Sequence, residues 1–361
     1  MPSVSDTLTI KGHQLKNRLT MAPTVKFGWA GPDGKLSDRH VAHYIERAKH
    51  GIGLLCVEAT AVTPDGRFTD GHIGLWEDGQ IDKHRLVTDA CRELGVVSLI
   101  QLNHTGNVTN PAIGEAKGPS SVPTRSGVSR EMSIDEIHAM QQAFISAAVR
   151  AKKAGYDGVQ LHGCHSYLIN QFVCKTTNLR TDEYGGSDEN RARFASEIIR
   201  GIRNECGSDF LISVRTVGAD PDLASCAAVA EEYLKASCDL LQVSSGINEP
   251  EDSVLHPGEN FTKVNALGVR FHEIFGGRVP VSCVHNIFTP EQVHAFLDKG
   301  LVDLVDLARA VLADPCFPEA VLSGSDYVRC RNCPRCQYGP FAKDRCPATI
   351  LRQKAGRSFA D

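Results

Sequence analysis

The chain has 361 residues, 42% of them hydrophobic and 23% charged, with a formal net charge of −4. That balance belongs to a soluble globular protein and excludes a disordered chain, a collagen and a small disulfide scaffold. The mild acidity recruits neither nucleic acid nor an anionic membrane surface.

The opening segment, MPSVSDTLTIKGHQ, has no apolar core behind a basic flank, so no signal peptide is expected. No apolar run of about 18 residues follows, so no membrane span is expected. The 13 cysteines should then meet a reducing cytoplasm and stay mostly unpaired. Eight short apolar runs read as strands: Leu19–Met21, Leu54–Glu58, Val96–Leu102, Gly158–Leu161, Leu211–Val214, Leu240–Val243, Val279–Val284 and Leu304–Leu307. Helical stretches separate them. The clearest opens with the capping box Ser133-Ile-Asp-Glu136 and stops at Gly155. Another runs from Asp188 to Arg203, and a third follows Thr289, with Pro290 at its first position. Alternating strands and helices predict a (β/α)8 TIM barrel over residues 1–325, one domain, followed by a cysteine-rich tail at 326–361. The stretches 107–130 and 249–262 read as loops over the barrel mouth.

In such barrels the polar chemistry sits where each strand ends. Here the ends carry Ala59, Gln101, His162 and His165, Arg215, Ser244, His285 and Asn286, and Ala308 and Arg309. His162 and His165 suit a pair of hydrogen-bond donors to an anion or a carbonyl oxygen. No carboxylate lies in the H-G-C-H-S-Y run, so zinc is not expected there. Tyr167 offers a phenolic proton, although a lone tyrosine more often packs. Asn178–Gly186, with Asn190, Arg191 and Arg193, reads as a structural hydrogen-bond network. A charge at Arg215 needs a carboxylate or a bound anion. No glycine-rich nucleotide motif occurs, so a phosphate would be held by the loops after strands seven and eight. Cys330, Cys333, Cys336 and Cys346 suit an iron–sulfur cluster or a four-cysteine zinc site, and the tight spacing of the first three favours a cubane.

Several blocks together resemble the old yellow enzyme family of FMN-dependent oxidoreductases. They are residues 15–23, 44–60, 101–106, 151–162, 167–172, 178–186 and 303–315. The tail cysteines are similar to those of members such as 2,4-dienoyl-CoA reductase and trimethylamine dehydrogenase, and the chain is expected to be a stand-alone barrel of that kind. The resemblance implies FMN with NAD(P)H as cosubstrate. It places Pro23, Thr24 and Ala59 beside the isoalloxazine, Gln101 on its pyrimidine edge and Arg215 by N1 and C2. Asn286, Ala308 and Arg309 fall at the phosphate. His162 and His165 would bind a substrate carbonyl or nitro oxygen, Tyr167 would give the proton, and Phe27 would shape the mouth. The implied reaction reduces an activated C=C bond of an unsaturated carbonyl compound, by hydride from flavin N5 and a proton from Tyr167. Two alternatives stay open: an amine dehydrogenase or demethylase using the cluster, and a non-catalytic flavin carrier or scaffold. A homo-oligomer is compatible with either. The chain departs from the family at Val25, where Thr or Cys is usual, at His285-Asn286 in place of a Gly pair, and at Ala308 in place of Gly. Lys26 is expected to bring a charge near the substrate.

Overall fold

Eight runs of residues, buried on both faces and mostly apolar, pair side by side in the computed structural model, which describes residues 3–220, 222–255, 261–339, 344–357 and 359. The strands are β1 (Leu19–Met21), β2 (Leu54–Ala61), β3 (Val97–Asn103), β4 (Gly158–Gly163), β5 (Leu211–Val217), β6 (Leu240–Ser244), β7 (Val281–Cys283) and β8 (Leu304–Leu307). All neighbours are parallel, in chain order, and β8 closes onto β1. Helices cover the outside and side chains fill the inside, which is why the strands read as unbroken apolar runs. The fold is the expected (β/α)8 barrel.

An N-terminal hairpin, Leu8–Ile10 paired with His13–Leu15, closes one end. Its Ile10 and Leu15 pack on Leu54, Val97, Leu211, Leu240 and Leu304, the first residues of five strands. The other end, where the strands finish, stays open to its loops. A register shift between Val57 and Thr60 re-aims Glu58 and Ala59 at that end of β2.

The helices are α1 (Asp38–Lys49), α2 (Ile81–Glu93), α3 (Ile134–Lys153), α4 (Leu168–Val173), α5 (Asp188–Cys206), α6 (Leu223–Lys235), α7 (Lys263–Phe275), α8 (Pro290–Leu297), α9 (Arg309–Ala313), α10 (Phe317–Ser323) and α11 (Pro347–Lys354). Ser133 caps α3 through the expected box with Glu136, and Thr289 caps α8. None of the helices among the described residues is long and apolar enough to cross a membrane.

The 107–130 connection folds into two short ladders, Lys117–Gly118 with Arg130–Glu131 and Pro123–Thr124 with Gly127–Val128. It is tied to the segment after β4: Asn107 N donates to Gln171 Oε1 (2.9 Å) and Leu179 N to Ser120 Oγ (2.9 Å). Of the other expected lid, residues 256–260 lie outside the described residues. So do 340–343, 358, 360 and 361 of the tail. The rest of the tail returns to the barrel. Arg47 donates to the Tyr338 hydroxyl (3.2 Å), the Tyr338 ring lies 6.4 Å from Trp29, and Arg39 pairs with Asp344 (3.1 Å).

Candidate active site

After β4 the chain turns through two residues in the left-handed region, His165 (φ 58°) and Ser166 (φ 65°). Such a conformation costs a non-glycine residue roughly 1–3 kcal/mol and persists only where neighbours impose it. Here they do. Ser166 N donates to Asn170 Oδ1 (2.9 Å), and Asn170 Nδ2 donates to the fully buried Asp220 (2.9 Å). His165 N donates to Ser245 O (3.3 Å). The turn gathers three rings. The His162 centroid lies 5.3 Å from that of His165 and 4.6 Å from that of Tyr167, both edge-on.

Burial holds both imidazoles neutral. It carries His162 well below its ordinary value, with His165 and Arg215 adding to it, and carries His165 down to about 3. Burial also pushes the Cys164 thiol up to about 12, so it keeps its hydrogen. That thiol lies 3.7 Å from His162 Nδ1. A thiol donating there leaves the imidazole proton on Nε2. His165 Nε2 meets Ser244 Oγ at 2.8 Å. Burial raises Tyr167, which keeps its phenolic proton.

Arg215 ends up beside His162 in the β4–β5 register and is 8% exposed. Its Nε has no hydrogen-bond partner, and the side chain makes no ion pair among the described residues. Asp306 of β8 is close enough to feel the guanidinium, although burial is the main influence and raises that carboxyl. An open cavity runs from His165, Arg215 and Ser244 to Asn286, Ala308 and Arg309. At its far end His285 (φ 100°) and Asn286 (φ 54°) are again left-handed. Thr262 Oγ1 holds the His285 ring (3.0 Å), and Arg309 donates to Asn286 Oδ1 while lying 5.1 Å over the Phe288 ring.

Gln101 is buried and donates to Gln160 (2.8 Å). Pro23 is buried and Thr24 half-buried. Ala59 O accepts from His72 Nε2 (2.6 Å), and Phe27 sits edge-on to His72 (5.4 Å) and stacked on Phe68 (5.3 Å). Lys26 departs from expectation. It is buried, its ammonium donates to Thr24 Oγ1 (2.9 Å), and it lies 5.6 Å from the Tyr338 ring rather than reaching into an open mouth. Its backbone N–H donates to the buried Glu58 (2.5 Å), which also accepts from Tyr44 (2.8 Å). The Asn178–Gly186 stretch is the expected network: Asn178 donates to Phe172 O and Tyr184 O (both 2.7 Å), and Arg180 to Asp182, Pro119 O and Met132 O.

A tetrahedral zinc site would hold its sulfurs about 3.8 Å apart. No three of the tail thiols gather within 4.8 Å of one another, so one zinc ion does not fit them as they stand. Burial raises the Cys330 thiol, against the pull of the Asn332 backbone and of Arg309.

Sequence reasoning missed three positioning groups. Ser244 was visible as a strand end, but its bond to His165 was not. Asn170 and Asp220 lie 50 residues apart, and Tyr44 and Glu58 meet across a helix and a strand.

Residues 6–326 match the NADH:flavin oxidoreductase / NADH oxidase family. The chain belongs to that family. An NADPH dehydrogenase of Bacillus pumilus is 36% identical over 318 residues, 86% of this chain and 91% of that protein. Among solved structures, the old yellow enzyme homologue from Zymomonas mobilis superposes with a TM-score of 0.78 at 25% identity, over 92% of this chain and 95% of that one. A 2-naphthoyl-CoA reductase complex superposes with a TM-score of 0.84 at 27% identity, over 92% of this chain. The chain spans only 54% of that reductase's length. As a member of the old yellow enzyme family, the chain is an NAD(P)H-dependent flavin oxidoreductase, and its cysteines at 330–346 lie beyond the matched stretch.

Proposed function

We propose that this oxidoreductase reduces the activated C=C bond of α,β-unsaturated carbonyl or nitro compounds with FMN in the open cavity. The observation that carries the reading is the buried Arg215, without an ion pair among the described residues, beside two neutral imidazoles and a protonated phenol. The donor set fits FMN. The buried guanidinium of Arg215, its Nε without a partner, supports an anionic ring edge, Gln101 a polar pyrimidine edge, and Asn286, Ala308 and Arg309 a phosphate. Pro23, Thr24 and Ala59 would flank the ring system. Bound FMN would supply hydride transfer from NAD(P)H to the substrate's β-carbon.

The chain's own residues do the rest. His162 and His165 donate to the substrate oxygen as negative charge grows on it. Neutral imidazoles suit this, because each keeps one N–H to give and takes no charge into a buried site. Tyr167 passes its proton to the α-carbon, and Phe27 bounds the mouth. On the same reading Cys330, Cys333, Cys336 and Cys346 would hold a [4Fe–4S] cluster, a one-electron centre.

The test is stopped-flow kinetics of FMN-loaded protein. Tyr167→Phe should slow reoxidation by 2-cyclohexenone about 100-fold or more, the usual worth of a general acid. Reduction by NADPH should stay within twofold. Equal slowing of both halves would remove Tyr167 from the proton step. Turnover of a tertiary amine with no enone activity would favour a dehydrogenase instead. Iron and sulfide analysis of an anaerobic preparation decides the tail.

A further inference from the structure

On the outer wall of the barrel, where α1 ends and α10 begins, three unlike donors meet. His50 caps the end of α1, and Cys316 and Glu319 sit three apart at the start of α10. Their donor atoms all lie within 4.8 Å of one another. The His50 Nδ1 to Cys316 Sγ distance is 3.6 Å and the Nδ1 to Glu319 Oε1 distance is 3.0 Å. A tetrahedral zinc ion with ordinary bond lengths sets sulfur and nitrogen about 3.6 Å apart, and nitrogen and oxygen about 3.4 Å apart. The first spacing is already met, and the second needs only a few tenths of an ångström.

The other nitrogen of His50 is held as well. Nε2 lies 3.1 Å from Glu46 Oε1, one turn back on α1, and the Glu46 side chain is 10% exposed. A carboxylate on the far nitrogen fixes the ring and makes the ligating nitrogen more basic, which is how metal-binding histidines are commonly supported. Phe359 stands edge-on to the same ring at 5.3 Å. Glu319, 42% exposed in its side chain, leaves an approach from solvent. Nothing in the flavin chemistry uses these groups.

We propose that His50 Nδ1, Cys316 Sγ and Glu319 bind one zinc ion, with Glu46 orienting His50 and water in the fourth position. Thiolate, imidazole and carboxylate together suit zinc rather than magnesium or calcium. On binding, the thiol gives its proton to solvent and its sulfur lone pair to the metal. The ion would clamp α1 to α10, two helices far apart in the chain.

The test is zinc titration of the full-length protein against a chromophoric chelator, using zinc alone. Wild type should bind one more zinc per chain than Cys316→Ser, whatever the tail cysteines take. Glu46→Gln should keep that stoichiometry and weaken the site about 10- to 100-fold. Cobalt added to a chain with all four tail cysteines replaced by serine should show a single-thiolate charge-transfer band, lost on adding Cys316→Ser. Equal zinc content and affinity in wild type, Cys316→Ser and Glu319→Gln would overturn the proposal and leave His50 as a plain bridge between two carboxylates. Absence of the cobalt band in the tail-substituted chain would overturn it equally.

Discussion

The buried guanidinium of Arg215 makes opposite demands on the empty and the loaded protein. Without a cofactor it is a charge at 8% exposure, with an orphaned Nε and no ion pair among the described residues. Replacing a buried ion pair by apolar side chains of like volume is often neutral or stabilising, by about 1–4 kcal/mol, whereas removing one partner of a pair destabilises. Arg215→Met removes a buried charge without an ion pair but also the pull on the buried Asp306, whose carboxyl burial already raises toward neutrality, so it should stabilise flavin-free protein by no more than about 1–2 kcal/mol. With FMN bound, the same change removes hydrogen bonds from a charged donor, worth about 1.5–3 kcal/mol. That is about 10- to 150-fold in affinity. If the loss falls on the reduced anion, the two-electron potential drops by about 30–65 mV. Urea unfolding of flavin-free protein reads the first effect, and FMN fluorescence titration with dye-equilibrated potentials reads the second. Destabilisation of the flavin-free variant would mean that Arg215 has a structural partner. Unchanged FMN affinity would mean that the cation never meets the cofactor.

Two further outcomes test the scaffold of the site. Burial pushes the Glu58 carboxyl up to about 7, against the pull of Lys26 and the hydrogen bonds from Lys26 N and Tyr44. A carboxyl raised in the folded state contributes stability below its unfolded value near 4.5, and that contribution is lost as pH rises through 7. Wild type should therefore lose on the order of 1–3 kcal/mol relative to Glu58→Gln between pH 4.5 and 7.5, read from urea midpoints. A parallel pH profile in the two proteins would contradict this. Asn170→Ala cuts the bridge from Ser166 to Asp220 that holds the left-handed turn. It should lower kcat/KM for an enone at least about tenfold while FMN content stays constant; full activity would show that the turn holds without it.

The barrel was legible because a covered parallel sheet makes every strand body apolar, so each polar residue after a run stands out. Boundaries slipped where that contrast failed. β5 continues through Thr216 and Val217, and β2 resumes pairing at Thr60 after its register shift, although both ends look like loop. β7 begins only at Val281, because Pro280 has no N–H to give to a ladder. The fate of Lys26 was not legible. Its burial depends on Thr24 beside it and on Tyr338 from the tail, more than 300 residues away.

The strongest local clue lies in backbone, not in side-chain type. Left-handed non-glycine pairs follow β4 and β7, His165-Ser166 and His285-Asn286, and His165, His285 and Asn286 line the cavity from its two ends. A conformation that glycine would adopt at no steric cost is instead occupied by residues that donate or accept hydrogen bonds. At the first pair Asn170 and Asp220 enforce it; at the second Thr262 and Arg309 hold the two side chains. Local rules are broken where function requires a side chain that the backbone would not otherwise tolerate. The His285-Asn286 pair therefore adds polar groups to the end of the cavity where the proposed FMN phosphate would lie, held at the cost of strain.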